Sequence, residues 1–535
     1  MAHEHEADLG VHQRVEDRDR CAAREPEDVV HALALERLDE PFGSGRELLG
    51  HGHPPHGRVR RIWAGSSPLA HAPRLRTVPN RATASQRDAW LDASAGKAPF
   101  ERRICVQRNG PVVLSARSSR NPWRCPQGIL GISARYDRAV DSYLEHAAAK
   151  LVALDTVSAH SDEAAAAFVA DELDGLGFRV ALHADLVDGV RKVSVVASAG
   201  PPEPDGLLVS GHLDVVPFAG QPGWTREPLR LAVEGDRVYG RGTSDMKGFV
   251  AACLAAARRF DRATLARPLV FAFTCDEEIG CAGAARLAPV LASLLGDLPL
   301  PRLCWIGEPT DWRVVRAHKG IVQCDVHARG RGGHSSVPEA GVNAIALAGR
   351  ALVAIGEVQA RFRERPDDAW RDLFPEAPYP TFNFGTIAGG TAGNVIAESC
   401  AVRLTYRPLP GADPLAPYEA LRARLARVEP VDFGSALRGE IALGAPLVVP
   451  GLDTPRGSAL EKALLEVLGA EDVGGAPFCT DGGRLAAIGV RSLVCGPGEL
   501  AQAHQPDESI GREALARTPD VILAVLGRLL GAAAR

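Results

Sequence analysis

Apolar residues along the chain fall into two kinds of segment, which differ in length and spacing. Short runs rich in Val, Leu, Ile and Phe, such as "GLLVSG" at 206–211 and "LVFAFTC" at 269–275, predict buried β-strands. Longer segments repeat apolar residues every three or four positions, and these predict amphipathic helices. Strands and helices alternate from about residue 178 onwards. This order is typical of an α/β domain with a largely parallel sheet.

The predicted elements form one larger pattern, into which a smaller pattern is inserted. In the larger pattern, strands are predicted at 178–184, 192–198, 206–211, 269–275, 303–306 and 490–496, and helices at about 135–154, 161–176, 246–260, 281–295, 457–470 and 520–530. Ser161 is the predicted N-cap of the second helix, and Gly177 is predicted to end it. In the smaller pattern, strands are predicted at 320–328, 381–388 and 400–406, with helices at 341–355 and 414–427. We therefore predict a larger domain made of residues 136–316 and 433–535, and a small α+β domain inserted as residues 317–432.

The first 135 residues differ from the rest of the chain. They mix Arg, His, Pro, Gly and Ser without a helical or strand period, which predicts a low-complexity, disordered extension. The stretch "HGHPPHGRVRRIW" at 51–63 has residues that bind metals or anions, but the absence of a core favours disorder there too. Acidic residues are interleaved with the basic ones and aromatic residues are few, so we predict no nucleic-acid partner.

Composition and charge are ordinary for a globular protein and exclude several classes of protein. The 535 residues include 46% hydrophobic and 24% charged residues and carry a net charge of −5, which does not favour binding to nucleic acid or to a membrane surface. No apolar run approaches the roughly 20 residues that span a bilayer. The 11 cysteines follow no framework spacing, and the N-terminus has no apolar secretory segment. The sequence therefore predicts reduced thiols and a cytoplasmic location.

Polar side chains recur where the strands of the larger pattern end. Taken singly, each has an ordinary explanation, since His212 suits a structural histidine, Asp245 a helix N-cap and Glu308 a turn. Together, however, they follow strands whose carboxyl ends meet at one edge of a parallel sheet. The set comprises His212 and Asp214 after 206–211, Asp245 before the helix at 246–260, Glu277 and Glu278 after 269–275, Glu308 after 303–306, and His504 after 490–496.

Five of these side chains suit two divalent metal ions that share one carboxylate ligand. They are two imidazoles and three carboxylates without a thiolate, which favours Zn²⁺, with Co²⁺ or Mn²⁺ as alternatives. The five are His212, Asp245, Glu278, Glu308 and His504. Asp214 and Glu277 are not among these five, so we predict that they support the ligands or take part in catalysis. Asp276, the first of the three consecutive acids after the strand at 269–275, is predicted to be a turn or supporting residue.

Several motifs occur in an order that resembles the dinuclear-zinc exopeptidase and deacylase family, which includes acetylornithine deacetylase, succinyl-diaminopimelate desuccinylase, aminoacylase and glutamate carboxypeptidase. The resemblance covers residues 137–535 and is absent before them. The motifs are "SGHLDVVP", "GRGTSDMKG", "DEEIG", "GEPT", "GRGGHSS", "GGTAGNVI", "YRPLPG" and "GPGELAQAHQPDE". The last of them is most similar to acetylornithine deacetylases. The resemblance implies a zinc-exopeptidase-like catalytic domain with a mostly parallel central sheet, and an inserted smaller α+β domain that acts as a lid and dimerisation domain.

The resemblance also implies a role for each candidate residue. His212 and Glu308 would hold one zinc ion, Glu278 and His504 the other, and Asp245 would bridge them. Asp214 would hydrogen-bond the His212 imidazole, and Glu277 would be the general base that takes a proton from the attacking water.

The inserted domain adds three more candidates by resemblance. His334 would stabilise the oxyanion in the partner subunit's site, which implies a homodimer, and Asn394 and Arg407 would bind the substrate, with Arg407 on its α-carboxylate. This chain has Ala397 where the family usually has proline, which should alter a turn rather than the chemistry. Thr480 and Asp481 in the loosely matching "CTDGG" are pocket candidates.

The implied function is metal-dependent removal of the N-acetyl group from N2-acetylornithine, which gives ornithine and acetate for arginine synthesis. Within the family, the alternatives are succinyl-diaminopimelate desuccinylation, broader N-acyl-amino-acid hydrolysis and dipeptide hydrolysis. A different class, a binding or assembly protein that has lost catalysis, would usually lack a ligand or the base, and this chain has the whole set. The expected partners are a small-molecule substrate and a second copy of the chain. No association with a membrane is expected.

Overall fold

The computed structural model describes residues 138–432, 435–531 and 533–534. The predictions on residues 1–135, including a disordered extension, lie outside these residues. The described part contains ten α-helices, which are α1 (Arg138–Ala153), α2 (Glu163–Gly175), α3 (Lys247–Arg259), α4 (Ala282–Leu287), α5 (Leu291–Leu294), α6 (Ala344–Arg363), α7 (Ala416–Leu425), α8 (Ala459–Leu468), α9 (Gly482–Ala486) and α10 (Arg512–Leu530).

The described residues also form nineteen β-strands, most of them within two sheets. In chain order they are β1 (Arg179–Val187), β2 (Val190–Ala199), β3 (Leu207–His212), β4 (Ala232–Glu234), β5 (Arg237–Tyr239), β6 (Phe260–Asp261), β7 (Leu269–Thr274), β8 (Leu303–Ile306), β9 (Val315–His318), β10 (Ile321–Arg329), β11 (Thr381–Gly389), β12 (Ser399–Arg407), β13 (Glu440–Leu443), β14 (Leu447–Val449), β15 (Leu452–Asp453), β16 (Gly474–Ala476), β17 (Arg491–Val494), β18 (Ser509–Gly511) and β19 (Ala533–Ala534).

The larger sheet is mixed, with parallel strands at its centre. Its order is β1-β2-β7-β3-β8-β17-β9-β15, and β16 pairs with β9. The four central strands β7, β3, β8 and β17 run parallel to one another, whereas β1 and β2 at one side and β9 and β15 at the other add antiparallel pairs. The predicted fold class, an α/β domain with a mostly parallel central sheet, is confirmed.

The central strands are apolar throughout because both faces of the sheet are covered. Every residue of β3 and β7 is buried. Successive side chains point to opposite faces, so Phe271 and Phe273 join the core beneath α1, α3 and α10, whereas Val270 and Ala272 join the core beneath α4 and α5. Burial on both faces removes the alternation of polar and apolar residues that a half-exposed strand would show.

The smaller sheet is antiparallel and has its own core. Its order is β11-β12-β10-β13, with β14 also paired to β10, and α6 and α7 supply buried residues to the same core. Its strands extend beyond the predicted segment 317–432, because β13 and β14 lie at residues 440–449. Conversely, β9 at residues 315–318 belongs to the larger sheet. β13 and β14 are not predicted because the residues "GAP" separate them into runs of four and three residues. Such runs are too short to show the alternation of apolar and polar residues that indicates a strand.

Four helix predictions differ from the structure, and one of them, the helix predicted at 341–355, runs from Ala344 to Arg363 as α6. The helix predicted at 281–295 is divided into α4, a 3₁₀ turn at Ala288–Val290 that contains Pro289, and α5. α10 begins at Arg512 rather than near residue 520, and Pro519 lies inside it. Asp162, not Ser161, occupies the N-cap position of α2, but its side chain makes no capping hydrogen bond. The Ser161 hydroxyl accepts from the Glu163 N–H and donates to the Arg191 carbonyl. None of the helices in the described part of the chain is long and apolar enough to cross a membrane.

Candidate metal centre

Three neighbouring strands bring most of the candidate side chains to one edge of the larger sheet. His212 is the last residue of β3, Glu277 and Glu278 follow β7, and Glu308 follows β8. Because β7, β3 and β8 are adjacent and parallel, their carboxyl ends lie side by side. Asp245 approaches from the turn before α3, and His504 from the loop between β17 and β18.

The two carboxylate oxygens of Asp245 face two different groups of donors. Asp245 Oδ1 lies 3.0 Å from His212 Nε2, which is also 3.9 Å from Glu308 Oε1. Asp245 Oδ2 lies 3.3 Å from His504 Nε2, which is 3.0 Å from Glu278 Oε2. The donors therefore divide into His212 with Glu308 on one side and His504 with Glu278 on the other. A carboxylate between two such groups suits a bridging ligand.

The charge at this centre fits two divalent cations. Burial, followed by the charge of Asp245, raises the pKa of Glu278 to about 7 and that of Glu308 well above its ordinary value. In the part of the chain that the structure describes, these two glutamates form ion pairs with His504 and His212 and with no Lys or Arg. Among the described residues, three sets each bring three donor atoms within 4.8 Å of one another, as a metal requires. They are His212–Asp245–Glu278, His212–Glu277–Glu308 and Glu277–Cys281–Asp481.

The raised carboxyl pKa values predict that metal affinity depends on pH. A glutamate with a pKa near 7 is protonated at lower pH and must lose that proton before it binds a cation. The apparent metal affinity should therefore fall as the pH decreases from about 8 to about 6, with protons released on binding. Competition with a chelating dye across this range, and calorimetry in buffers that differ in ionisation enthalpy, would measure both effects. An affinity that is constant with pH would contradict this prediction.

Asp214 supports the centre differently from the role predicted for it. His212 Nδ1 donates to the main-chain carbonyl of Asp214 at 2.9 Å, whereas the Asp214 carboxylate lies 3.6 Å away. That carboxylate accepts hydrogen bonds from the main-chain N–H groups of Glu277 and Glu278 and from the hydroxyl of Ser158. The predicted hydrogen bond from imidazole to the Asp214 carboxylate is therefore wrong in detail, because three other donors occupy its oxygens. Asp214 instead fixes the turn that carries both glutamates.

Glu508 supports Asp245, the carboxylate that lies between the two groups of donors. The sequence does not indicate this contact. The buried Glu508 carboxylate accepts from the main-chain N–H groups of Ser244 and Asp245, each at 3.0 Å. The buried guanidinium of Arg241 donates to its other oxygen at 2.8 Å. Glu508 stands 263 residues from Asp245 in the sequence, so only the fold reveals that it holds the Asp245 backbone in place.

Replacing Glu508 by glutamine should weaken metal binding. The amide loses the negative charge that faces two N–H donors and Arg241, so the position of Asp245 becomes less well fixed. Supporting residues of this kind typically contribute about 10-fold to 100-fold in metal affinity. A metal titration of the Glu508→Gln protein would measure the change. Glu461→Gln is a matched control, because Glu461 is also buried but accepts from Gly457, just before α8. Equal metal affinity in both variants would contradict the role of Glu508.

One cleft contains the candidate centre and one of the predicted substrate-binding residues. Asp245, Glu277, Glu278, Glu308 and His504 line it together with Arg407, at the end of β12 in the smaller sheet. The Arg407 guanidinium donates to the sulfur of Cys479, and none of the ion pairs found among the described residues joins it to a carboxylate. It therefore faces the cleft as a cation that suits an anionic ligand.

His334 and Asn394 do not line this cleft within the chain. Both are exposed, and they lie in adjacent loops of the smaller sheet, where His334 pairs with Val395 and the Asn394 carbonyl accepts from Ser335. His334 Nδ1 accepts from the Ser336 N–H, so the neutral imidazole carries its proton on Nε2.

The two remaining pocket candidates occupy different positions. Thr480 contacts the buried His318 and does not line the cleft. The Asp481 carboxylate accepts from the Thr274 hydroxyl and lies near Glu277. Of the two, only Asp481 therefore approaches the candidate centre.

Comparisons with known proteins agree with this architecture. A family model described as peptidase family M20/M25/M40 matches residues 208–528. Acetylornithine deacetylase of Erwinia tasmaniensis is 37% identical over 352 residues, which cover 66% of this chain and 87% of that protein. The enzyme of the same name from Proteus mirabilis is 36% identical over 358 residues and covers 67% and 88%.

Solved structures show the same fold at lower sequence identity. Human carnosine dipeptidase 1 is 17% identical, with a TM-score of 0.57, and the match covers 73% of this chain and 98% of that one. A metallo-carboxypeptidase of Sulfolobus solfataricus is 19% identical, with a TM-score of 0.56 and coverage of 74% and 99%.

Proposed function

This chain belongs to peptidase family M20/M25/M40, a family of amide-bond hydrolases, and on that basis we propose that it removes the N-acetyl group from N2-acetylornithine. The products would be ornithine and acetate. The observation that carries this proposal is the similarity to acetylornithine deacetylases at 36–37% identity across 87–88% of their length. Succinyl-diaminopimelate, other N-acyl amino acids and dipeptides are the alternative substrates within the family.

We propose that five side chains hold two divalent ions, most suitably Zn²⁺. His212 and Glu308 would hold one ion, Glu278 and His504 the other, and Asp245, whose two oxygens face the two groups, would be shared by both. The mixture of imidazole and carboxylate ligands favours zinc, with cobalt or manganese as alternatives. When bound, two such ions lower the pKa of water and polarise a carbonyl group.

Glu277 is the proposed general base. It lines the cleft beside the proposed ligands, and burial together with the charge of Glu308 raises its pKa, which suits a carboxylate that accepts and returns a proton. Glu277 takes one proton from the water that attacks the amide carbon. It then delivers this proton to the departing amine nitrogen, so the C–N bond breaks without formation of an amide anion.

Arg407 is the proposed ligand of the substrate α-carboxylate. Its replacement by lysine keeps the charge but removes the two-pronged donor geometry. We expect kcat/KM to fall about 10-fold to 100-fold, mainly through KM, because the carboxylate is bound in both the ground state and the transition state. Steady-state kinetics with acetylornithine and with its α-carboxamide would measure this effect. The loss should disappear with the carboxamide, and an equal loss with both substrates would contradict the assignment.

We further propose that the enzyme acts as a homodimer through the smaller sheet. β11 is an edge strand that pairs only with β12 among the described strands, and most of it is exposed, including Phe384 and Ile387. Exposed apolar edge strands favour pairing with another chain. In such a dimer, the exposed His334 of one subunit would donate from Nε2 to the oxyanion in the other subunit's cleft, with Asn394 beside it.

A comparison of substrates tests the proposed function. Purified, zinc-loaded protein would be assayed with acetylornithine, succinyl-diaminopimelate, acetylmethionine and a dipeptide. We expect kcat/KM to be highest for acetylornithine, and a preference below about tenfold would remove this specific assignment. A protein that binds two metal ions but hydrolyses none of these amides would instead support the binding-protein alternative. Zinc content measured on the same sample separates that result from a failure to load metal.

A further inference from the structure

Two cysteine thiols meet at the wall of the cleft, beside the proposed base and the proposed substrate ligand. Cys281 lies directly before α4 and donates a hydrogen bond from Sγ to Glu277 Oε1 at 3.3 Å. Cys479 lines the cleft and accepts a hydrogen bond from Arg407 Nη1 at 3.3 Å. A hydrogen bond between the two thiols also shifts the pKa of each of them. They therefore connect the two sides of the cleft.

The surroundings give the two thiols different reactivities. The hydrogen bond from Cys281, with help from the charge of Arg407, lowers the pKa of Cys479 to about 7. The hydrogen bond with Cys479, followed by burial, raises the pKa of Cys281 well above its ordinary value. Cys479 is partly exposed, whereas Cys281 is fully buried. An accessible thiol of low pKa beside a second thiol is the arrangement found in cysteines that react with oxidants.

The other cysteines of the described residues lack this combination. Cys253, Cys275, Cys304, Cys324, Cys400 and Cys495 are all buried. Burial raises the pKa of the Cys275 thiol to about 12 and that of Cys324 to about 11, which makes both poor nucleophiles. Among the cysteines of the described residues, Cys479 is therefore the one that an oxidant in the cleft would meet first.

We propose that Cys281 and Cys479 form an oxidation site, at which a peroxide closes a disulfide across the cleft wall. The Cys479 thiolate attacks one peroxide oxygen, the O–O bond breaks, and the departing hydroxide takes up a proton to form water. Cys479 is then a sulfenic acid. The Cys281 sulfur attacks the Cys479 sulfur and loses its proton, the S–O bond breaks, and a second water leaves. Two thiols and one hydrogen peroxide thus give one disulfide and two waters.

The disulfide would remove two contacts at once. Cys281 could no longer donate to Glu277, and the sulfur that accepts from Arg407 would be drawn towards Cys281. We therefore expect oxidation to stop turnover while the metal ions stay bound, since neither thiol is among the five proposed ligands. The loss of activity rests on the proposed roles of Glu277 and Arg407, whereas formation of the disulfide does not.

Graded hydrogen peroxide added to the full-length, zinc-loaded protein tests this proposal. A peptide map should show Cys281 linked to Cys479, with loss of turnover, unchanged zinc content and recovery with dithiothreitol. Cys479→Ser should resist inactivation, because its hydroxyl still accepts from Arg407 but is not oxidised. Cys281→Ser should stop at the sulfenic acid, which a dimedone probe would label on Cys479.

Cys275→Ser is the matched control, since Cys275 is buried near the same strand end but does not line the cleft, and this variant should still form the disulfide. The proposal is overturned if the linked peptide is absent after oxidation, or if Cys479→Ser is inactivated as quickly as the unmodified protein. If the protein hydrolyses none of the tested amides, the proposed function fails, but the peptide map and the dimedone label still decide the thiol chemistry.

Discussion

Replacing Glu277 by glutamine should reduce kcat by about 10²-fold to 10⁴-fold and leave the metal content unchanged. The amide cannot accept a proton from water, so the proposed proton transfer to the amine nitrogen is lost. The side chain is not one of the five proposed ligands, and the Glu277 N–H can still donate to Asp214 at 3.0 Å. The turn that carries Glu278 should therefore keep its conformation.

Glu278→Ala is the matched comparison, because it alters the neighbouring carboxylate. Glu278 Oε2 lies 3.0 Å from His504 Nε2 in one proposed ligand group, so its removal should release one metal ion together with activity. Single-turnover kinetics and metal analysis of both variants would separate a base from a ligand. The assignment fails if Glu277→Gln keeps full turnover with metal bound, or if it loses metal as Glu278→Ala does.

Replacing His334 by alanine should reduce kcat by about 10²-fold to 10³-fold. Mixing the His334→Ala protein with the Glu277→Gln protein should restore part of the activity. In the proposed dimer, each site combines Glu277 of one subunit with His334 of the other. A mixed dimer then has one site that lacks both groups and one site that is intact. Random exchange makes about half of the dimers mixed, so about a quarter of the original activity should return.

Native mass spectrometry would show that mixed dimers form, and the kinetics of the mixture would report their activity. His334→Ala should bind metal normally, because His334 does not line the cleft in its own chain. If mixed dimers are present and no activity returns, His334 does not act across the interface. A fully active monomer would also exclude the proposed arrangement.

The candidate ligands could be predicted because they follow regular strands. β8 begins and ends at residues 303 and 306, as its apolar run predicts, and β3 and β7 differ from their predicted ranges by one residue at most. In a parallel sheet, such runs also predict where the next polar residue lies. The structure brings His212, Glu278 and Glu308 together for this reason.

Contacts between distant residues could not be predicted from one sequence. Nothing in a local pattern places Glu508 against Asp245 or Cys479 against Cys281, because these contacts depend on how separate loops pack. The hydrogen bonds of Asp214 could not be predicted either, since its spacing from His212 fits either a side-chain or a main-chain acceptor. The structure selects the main-chain carbonyl because the carboxylate is already engaged by a hydroxyl and two N–H groups.

The three consecutive acids after β7 have three different environments. Asp276 is fully buried and lies 2.8 Å from Lys192 Nζ and 2.7 Å from Arg286 Nη2, so it forms ion pairs away from the metal centre. Glu277 faces the cleft, and Glu278 lies beside His504. Only their shared position after a buried strand is visible in the sequence; the direction of each side chain is set by the fold of the turn.

The contact between Glu508 and the Asp245 backbone has a consequence for biosynthesis. Asp245 is translated 263 residues before Glu508, and His504 is made only shortly before Glu508. A nascent chain on the ribosome thus lacks one proposed ligand, His504, and the support of the Asp245 backbone by Glu508 until both late residues have emerged. Metal uptake should therefore follow their synthesis, and shortening the chain before residue 504 should leave a protein that folds in part but cannot acquire its full complement of metal.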